Sequence, residues 1–206
     1  MNSFFRTKAF KTLLAAIVIL PSPVFTYDHI NIESKVIFNT TCARCHEGEC
    51  SGRMSFHLPE SAADQHILRH GGELSPQIIS QLFELLRYMK EQCSFYPFAQ
   101  ALTQQGIWNS DALAKFHTPS NKAYFIPLGQ IEPGDYQLRF KGFNEKTNIC
   151  VEIINGEFNF IEKESINRET QPNKLNFHIE QQSKHFLRIT AQKPISLNQL
   201  ELAPHK

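Results

Sequence analysis

The feature that most limits what this chain can fold into is a change of hydrophobic period part-way along it. In "LSPQIISQLFELLRYMKEQC", residues Ile78, Ile79, Leu82, Leu85, Leu86 and Met89 form one apolar stripe at helical spacing. Ser75 suits the N-cap of that helix and Pro76 its first position. A shorter helical segment precedes it in "PESAADQHILRHGG", where Gly71 and Gly72 can end the helix. From about Ala123 onward the period becomes two. "DYQLRF" alternates Tyr136, Leu138 and Phe140 with Gln137, Arg139 and Lys141, and "NICVEI" and "KLNFHIE" repeat the pattern. "EPGD" supplies a turn between two of these strands.

Short strands with polar turns and no intervening helix argue for an antiparallel sandwich rather than βαβ units. The expected architecture is therefore multi-domain. An all-α unit is expected over residues 27–93, a connecting segment over 94–122, and an all-β, jelly-roll-like sandwich over 123–206, each half with its own core.

Ahead of both lies "MNSFFRTKAFKTLLAAIVILPSPVFTYD", with Arg6, Lys8 and Lys11 followed by an apolar run from Leu13 to Leu20. That is the pattern of a secretory signal over residues 1–26, and the run is too short to span a bilayer. It places the protein in the periplasm or otherwise outside the cytoplasm, with no membrane span beyond this segment. Removing it moves the formal charge from +1 to −2, since three cations and no acidic groups leave with it. A near-neutral chain without a basic stripe gives no sign of nucleic-acid binding.

The chemistry concentrates in "NTTCARCHEGEC". Closely spaced cysteines serve thiol exchange, zinc, or covalent haem, whose mark is C-x-x-C followed directly by His. Thiol exchange calls for a βαβ setting, but helical sequence flanks the motif here. Cys42, Cys45, His46 and Cys50 could form a zinc tetrad on paper, although an oxidising compartment favours disulfides over such sites. Covalent haem c fits best: Cys42 and Cys45 would carry the thioether bonds and His46 the proximal side of the iron.

With a helix running into "CARCH", a loop, a short helix before "GG" and a final helix containing "LLRYMKE", residues 27–93 resemble a mono-haem c-type cytochrome domain. The resemblance implies an electron carrier whose sixth ligand comes from the loop before the final helix. That loop is "GGELS" and holds no methionine. His70, next to it, is the leading distal candidate, with His66, His57 and Met54 as alternatives, while Met89 belongs to the core stripe. In such a fold the first and last helices cross, so Cys50 could pair with Cys93, and Cys93 with Cys150 is the competing disulfide.

The expected function is single-electron transfer with no enzymatic step, the sandwich docking a redox partner protein. A haem-based sensor with an exchangeable distal ligand is the alternative. Trp108, Tyr124, Phe158 and Phe160 are candidates for stacking on carbohydrate, set against the commoner role of alternating aromatics as core.

Overall fold

A computed structural model describes residues 29–46, 59–93, 95, 98, 106–120, 122–143, 147–167 and 173–205. Residues 1–26, expected to form a secretory signal, and Cys50, Met54 and His57 lie outside them. Among the described residues eight strands form two antiparallel sheets: β1 (Ile107–Asn109), β2 (Ala123–Ile131), β3 (Gly134–Lys141), β4 (Ile149–Asn155), β5 (Phe160–Ile166), β6 (Lys174–Ile179), β7 (Ser183–Ala191) and β8 (Gln199–Pro204). One sheet has the order β1-β8-β3-β6 and the other β2-β7-β4-β5. The helices are α1 (Ile32–Ile37), α2 (Ala43–His46), α3 (Asp64–Gly71), α4 (Pro76–Gln92) and α5 (Ser110–Leu113).

Local chemistry sets these limits. The Ser75 hydroxyl accepts from the Ile78 amide at 3.3 Å to start α4, and Cys93, in the left-handed region at φ 53°, ends it. Gly72, at φ 84°, ends α3 where a side chain would be strained. The turn from β2 to β3 is tied by Tyr136, whose hydroxyl donates to the Glu132 carbonyl at 3.0 Å.

The two sheets differ in what covers them. In β6, Leu175, Phe177 and Ile179 are buried and their neighbours exposed, so the first sheet has one wet face. In β2 every residue from Ala123 to Leu128 is buried, as is every residue of β7 from His185 to Ile189. Such runs mean cover on both faces. Phe186 of β7 packs on Phe95, ring centroids 5.0 Å apart, and Arg188 donates to the Asn39 carbonyl at 3.1 Å, so their face lies under the N-terminal segment. Strand alternation turns Leu187 and Ile189, both fully buried, to the opposite face against the first sheet.

This corrects the expected fold class. No separate all-α cytochrome domain stands ahead of the sandwich: Ile30, Val36, Phe38, Leu82 and Met89 belong to the same buried cluster as Phe125, Val151 and Leu187. The π-helical turn Phe38–Cys42 packs directly on β2 and β7. The reason is physical. α1, α2 and α3 have 6, 4 and 8 residues, too few to enclose a core around α4 alone, while the outer face of the second sheet is apolar and must be covered. The segment between the halves supplies β1 to the first sheet and Phe95 to the aromatic cluster with Phe125, Phe158 and Phe186.

Candidate functional site

The site grows out of α1. Asn31 caps it by accepting from the Ser34 amide at 2.7 Å, and Ser34 donates to Gln81 of α4 at 2.7 Å. Gln81 also donates to the His29 carbonyl at 2.9 Å, which fixes α1 against α4. After Ile37 the backbone widens into the π-helical turn, a form common at functional sites. Side chains fill the gaps it opens: Thr40 donates to the Val36 carbonyl at 2.7 Å and Asn39 to the Lys35 carbonyl at 2.8 Å. Arg188 takes the Asn39 carbonyl from below, so strand β7 holds the turn that presents Cys42.

Cys42 and Cys45 are both free thiols, the first half-buried and the second exposed. Burial, followed by the neighbouring Cys45, pushes the Cys42 thiol up to about 11. It therefore stays protonated at neutral pH and is a poor attacking group for disulfide formation. His46 follows on α2, and its ring lies 6.0 Å from that of His66 on α3, with the planes at 75°. The His70 ring sits behind His66 at 4.7 Å. Burial, then the charges of His70, His46 and Arg69, hold His66 below the ordinary imidazole range. Ile67 is buried and seats α3 on the core, while His66 and His70, one turn apart, are both exposed.

His66 thus lies against His46, and His70 lies against His66. Two imidazoles on opposite sides of one ion at about 2 Å each would have ring centroids roughly 6 Å apart, against roughly 5 Å in tetrahedral geometry, so the 6.0 Å separation is compatible with an opposed pair. Met89 is 2 % exposed and lies in the core. No three His, Cys, Asp or Glu among the described residues are grouped to hold a metal ion by themselves, so a zinc tetrad has no support there. Cys93 is disulfide-bonded and Cys150 is free, which excludes their pairing. Cys50, the other expected partner, lies outside the described residues.

Of the four aromatics expected to meet carbohydrate, Trp108, Tyr124 and Phe158 are buried in the core. Phe160 is 51 % exposed. It borders a cavity of about 580 Å³ that also takes in Asn155, Asn159, Glu162, Gln181 and His185.

Sequence reasoning missed a row of charges across the outer face of the second sheet. Arg188, Glu152 and Lys163 are cross-strand neighbours on β7, β4 and β5. Glu152 receives Arg188 Nε at 2.6 Å on one oxygen and Lys163 Nζ at 2.8 Å on the other. The signal was present: "ICVEII" and "HFLRIT" each carry one charge, of opposite sign, inside an apolar run. A cavity of about 310 Å³ opens at this row, lined also by Phe160 and by Arg44 from the C-x-x-C-H turn.

No protein-family model matches the chain, and no curated protein matches it. Among solved structures it is similar to the lectin domain of lectinolysin complexed with Lewis b antigen, at 12 % identity and a TM-score of 0.29, over 41 % of this chain. It spans 65 % of that domain's length. A point variant of the same domain gives 14 % identity and a TM-score of 0.30. A Bacteroides thetaiotaomicron protein proposed to be an alpha-L-fucosidase gives 14 % and 0.30, over 66 % of this chain and 28 % of its own. Superpositions this loose carry no argument about what the chain does.

Proposed function

We propose that this chain is an exported electron-transfer protein holding one haem c covalently through Cys42 and Cys45, with His46 and His66 as the axial pair. The observation that carries the reading is the convergence of two free thiols, three residues apart on a helical turn, with an imidazole pair 6.0 Å apart beside them. Bound haem would supply a one-electron couple between ferric and ferrous iron. The chain supplies the rest. The two thiols would hold the group, His46 and His66 would offer it imidazole nitrogens, and the Arg188 hydrogen bond to the Asn39 carbonyl anchors the turn that carries Cys42 to the sheet. A second imidazole in place of a thioether sets the potential lower than a methionine would.

The surface offers a docking role besides. Phe160 beside an amide-lined and carboxylate-lined cavity of about 580 Å³ suits a polar ligand such as a carbohydrate, stacking on the ring while side chains meet hydroxyls. Among the described residues no helix is long and apolar enough to cross a membrane.

A pyridine haemochrome spectrum of protein matured in an exporting host tests the central claim. One haem per chain with two saturated vinyl groups is the expected result; a folded, exported chain without haem refutes it. Carbon monoxide added to the reduced protein separates carrier from sensor: slow or no uptake supports the imidazole pair, and rapid uptake supports an exchangeable distal position.

A further inference from the structure

The cavity between the C-x-x-C-H turn and the second sheet has no part in the function proposed above. It is lined by Thr190 and Arg188 of β7, Cys150 and Glu152 of β4, Phe160 and Lys163 of β5, and Arg44, with the Phe160 ring 5.7 Å from Lys163 Nζ and 5.8 Å from the Arg188 guanidinium. Three cations face one carboxylate. Both oxygens of Glu152 are engaged, by Arg188 at 2.6 Å and by Lys163 at 2.8 Å, so its charge is matched within the row. Arg188 is 2 % exposed and pinned at both Glu152 and the Asn39 carbonyl, so it contributes a fixed charge to the cavity lining rather than a mobile one. Arg44 is exposed, has no carboxylate within salt-bridge distance among the described residues, and lies near enough to Cys150 to act on its thiol electrostatically. The Lys163 ammonium has three N–H donors, of which Glu152 takes one. A guanidinium with no carboxylate beside it among the described residues, lining one small cavity with an ammonium that has spare donors, offers the chemistry of an oxyanion site.

We propose that this cavity binds a carboxylate or phosphate oxyanion between Arg44, Lys163 and Arg188, linking the haem-attachment turn to the sandwich. Two sources have that chemistry: a carboxylate of the haem held at Cys42 and Cys45, or a small diffusible anion. The first rests on the function proposed above and the second does not. Arg44 is the natural reporter because it belongs to the C-x-x-C-H turn and is exposed. Arg188 is unsuitable, since its loss breaks the buried pair.

The experiment titrates inorganic phosphate into the full chain by calorimetry at low ionic strength. The chain is prepared once with haem maturation and once without it, as wild type, Arg44→Gln, Lys163→Gln and the surface control Arg139→Gln. Phosphate binding to both preparations, weakened about tenfold or more by Arg44→Gln and by Lys163→Gln but not by Arg139→Gln, supports the site with a diffusible anion. Binding only to the haem-free chain, together with a lower midpoint potential in matured Arg44→Gln, supports the site with a haem carboxylate in it. Binding that survives both variants, or no binding to either preparation together with an unchanged potential in Arg44→Gln, overturns the proposal. Should no haem be incorporated at all, the function proposed above fails while the haem-free titration still decides this one.

Discussion

Replacing Arg188 with Met should be among the most damaging single changes available to this protein. The Arg188 and Glu152 side chains are 3 % and 10 % exposed and meet at 2.6 Å. Breaking a buried pair by removing one member costs about 3–5 kcal/mol, chiefly because the other charge is stranded. Here Glu152 keeps Lys163 at 2.8 Å, and that lysine is 61 % exposed, so the lower end applies. The Asn39 carbonyl also loses its donor, adding about 1 kcal/mol. The expected total is about 4 kcal/mol, which for a domain of this size lowers the melting temperature by roughly 8–16 °C. Glu152→Gln in the same background should recover at least about 1 kcal/mol relative to the sum of the single changes, because the stranded charge is gone. Burial pushes the Glu152 carboxyl up, but the Lys163 hydrogen bond and Arg188 outweigh it and hold the group below its ordinary 4.5. The stability tied to that depression is therefore present in full above 4.5 and is lost as the pH falls through the lower folded value. Glu152→Gln should flatten this acid limb. Urea unfolding read by far-ultraviolet dichroism and by the fluorescence of Trp108, the chain's one tryptophan, is the assay. Trp108 sits in the sandwich and the dichroism weights the helices, so a shared core requires both transitions to shift together. Additive single and double variants, or a helical transition that moves while the Trp108 transition stays, would refute the reasoning.

Other outcomes are expected from the same geometry. Met89→Leu should cost less than about 1.5 kcal/mol and Met89→Ala about 2–5 kcal/mol in chemical denaturation, with no change of haem spectrum in either, since Met89 is core. In the matured protein, His66→Ala should give high-spin ferric haem that takes up imidazole, whereas His70→Ala should leave the low-spin spectrum intact; the opposite pattern would return the distal role to His70. Phe160→Ala should leave the melting curve within about 0.5 kcal/mol of wild type, as the ring is half-exposed, while weakening retention on a glycan array. Retention unchanged by that substitution would remove the sandwich's carbohydrate role.

Much of the secondary structure was legible because its causes are local. Ser75, Pro76 and the 3.6-residue stripe define α4, Gly72 ends α3, and the alternation of Leu175, Phe177 and Ile179 defines β6. The helical turn that carries Cys42, Cys45 and His46 was legible too, since helical sequence flanks it on both sides. What the helices pack against was not. A stripe on α4 and a run such as "AYFIPL" each demand an apolar neighbour, yet neither states that the neighbour is the other. A buried strand covered on both faces and one covered on a single face differ only in whether their alternate residues are apolar. That difference pointed to the covered outer face of the second sheet, but the period-two reading passed over it. The same holds within the site. His66 and His70 are one turn apart on α3 and chemically alike, so their order toward His46 depends on how Ile67 seats the helix on the core. Arg188 meets Glu152 across 36 residues and Asn39 across 149, distances over which the sequence carries no geometric information. Local backbone preference is encoded residue by residue, whereas the pairing of faces is decided by the total apolar surface that the whole chain must bury at once.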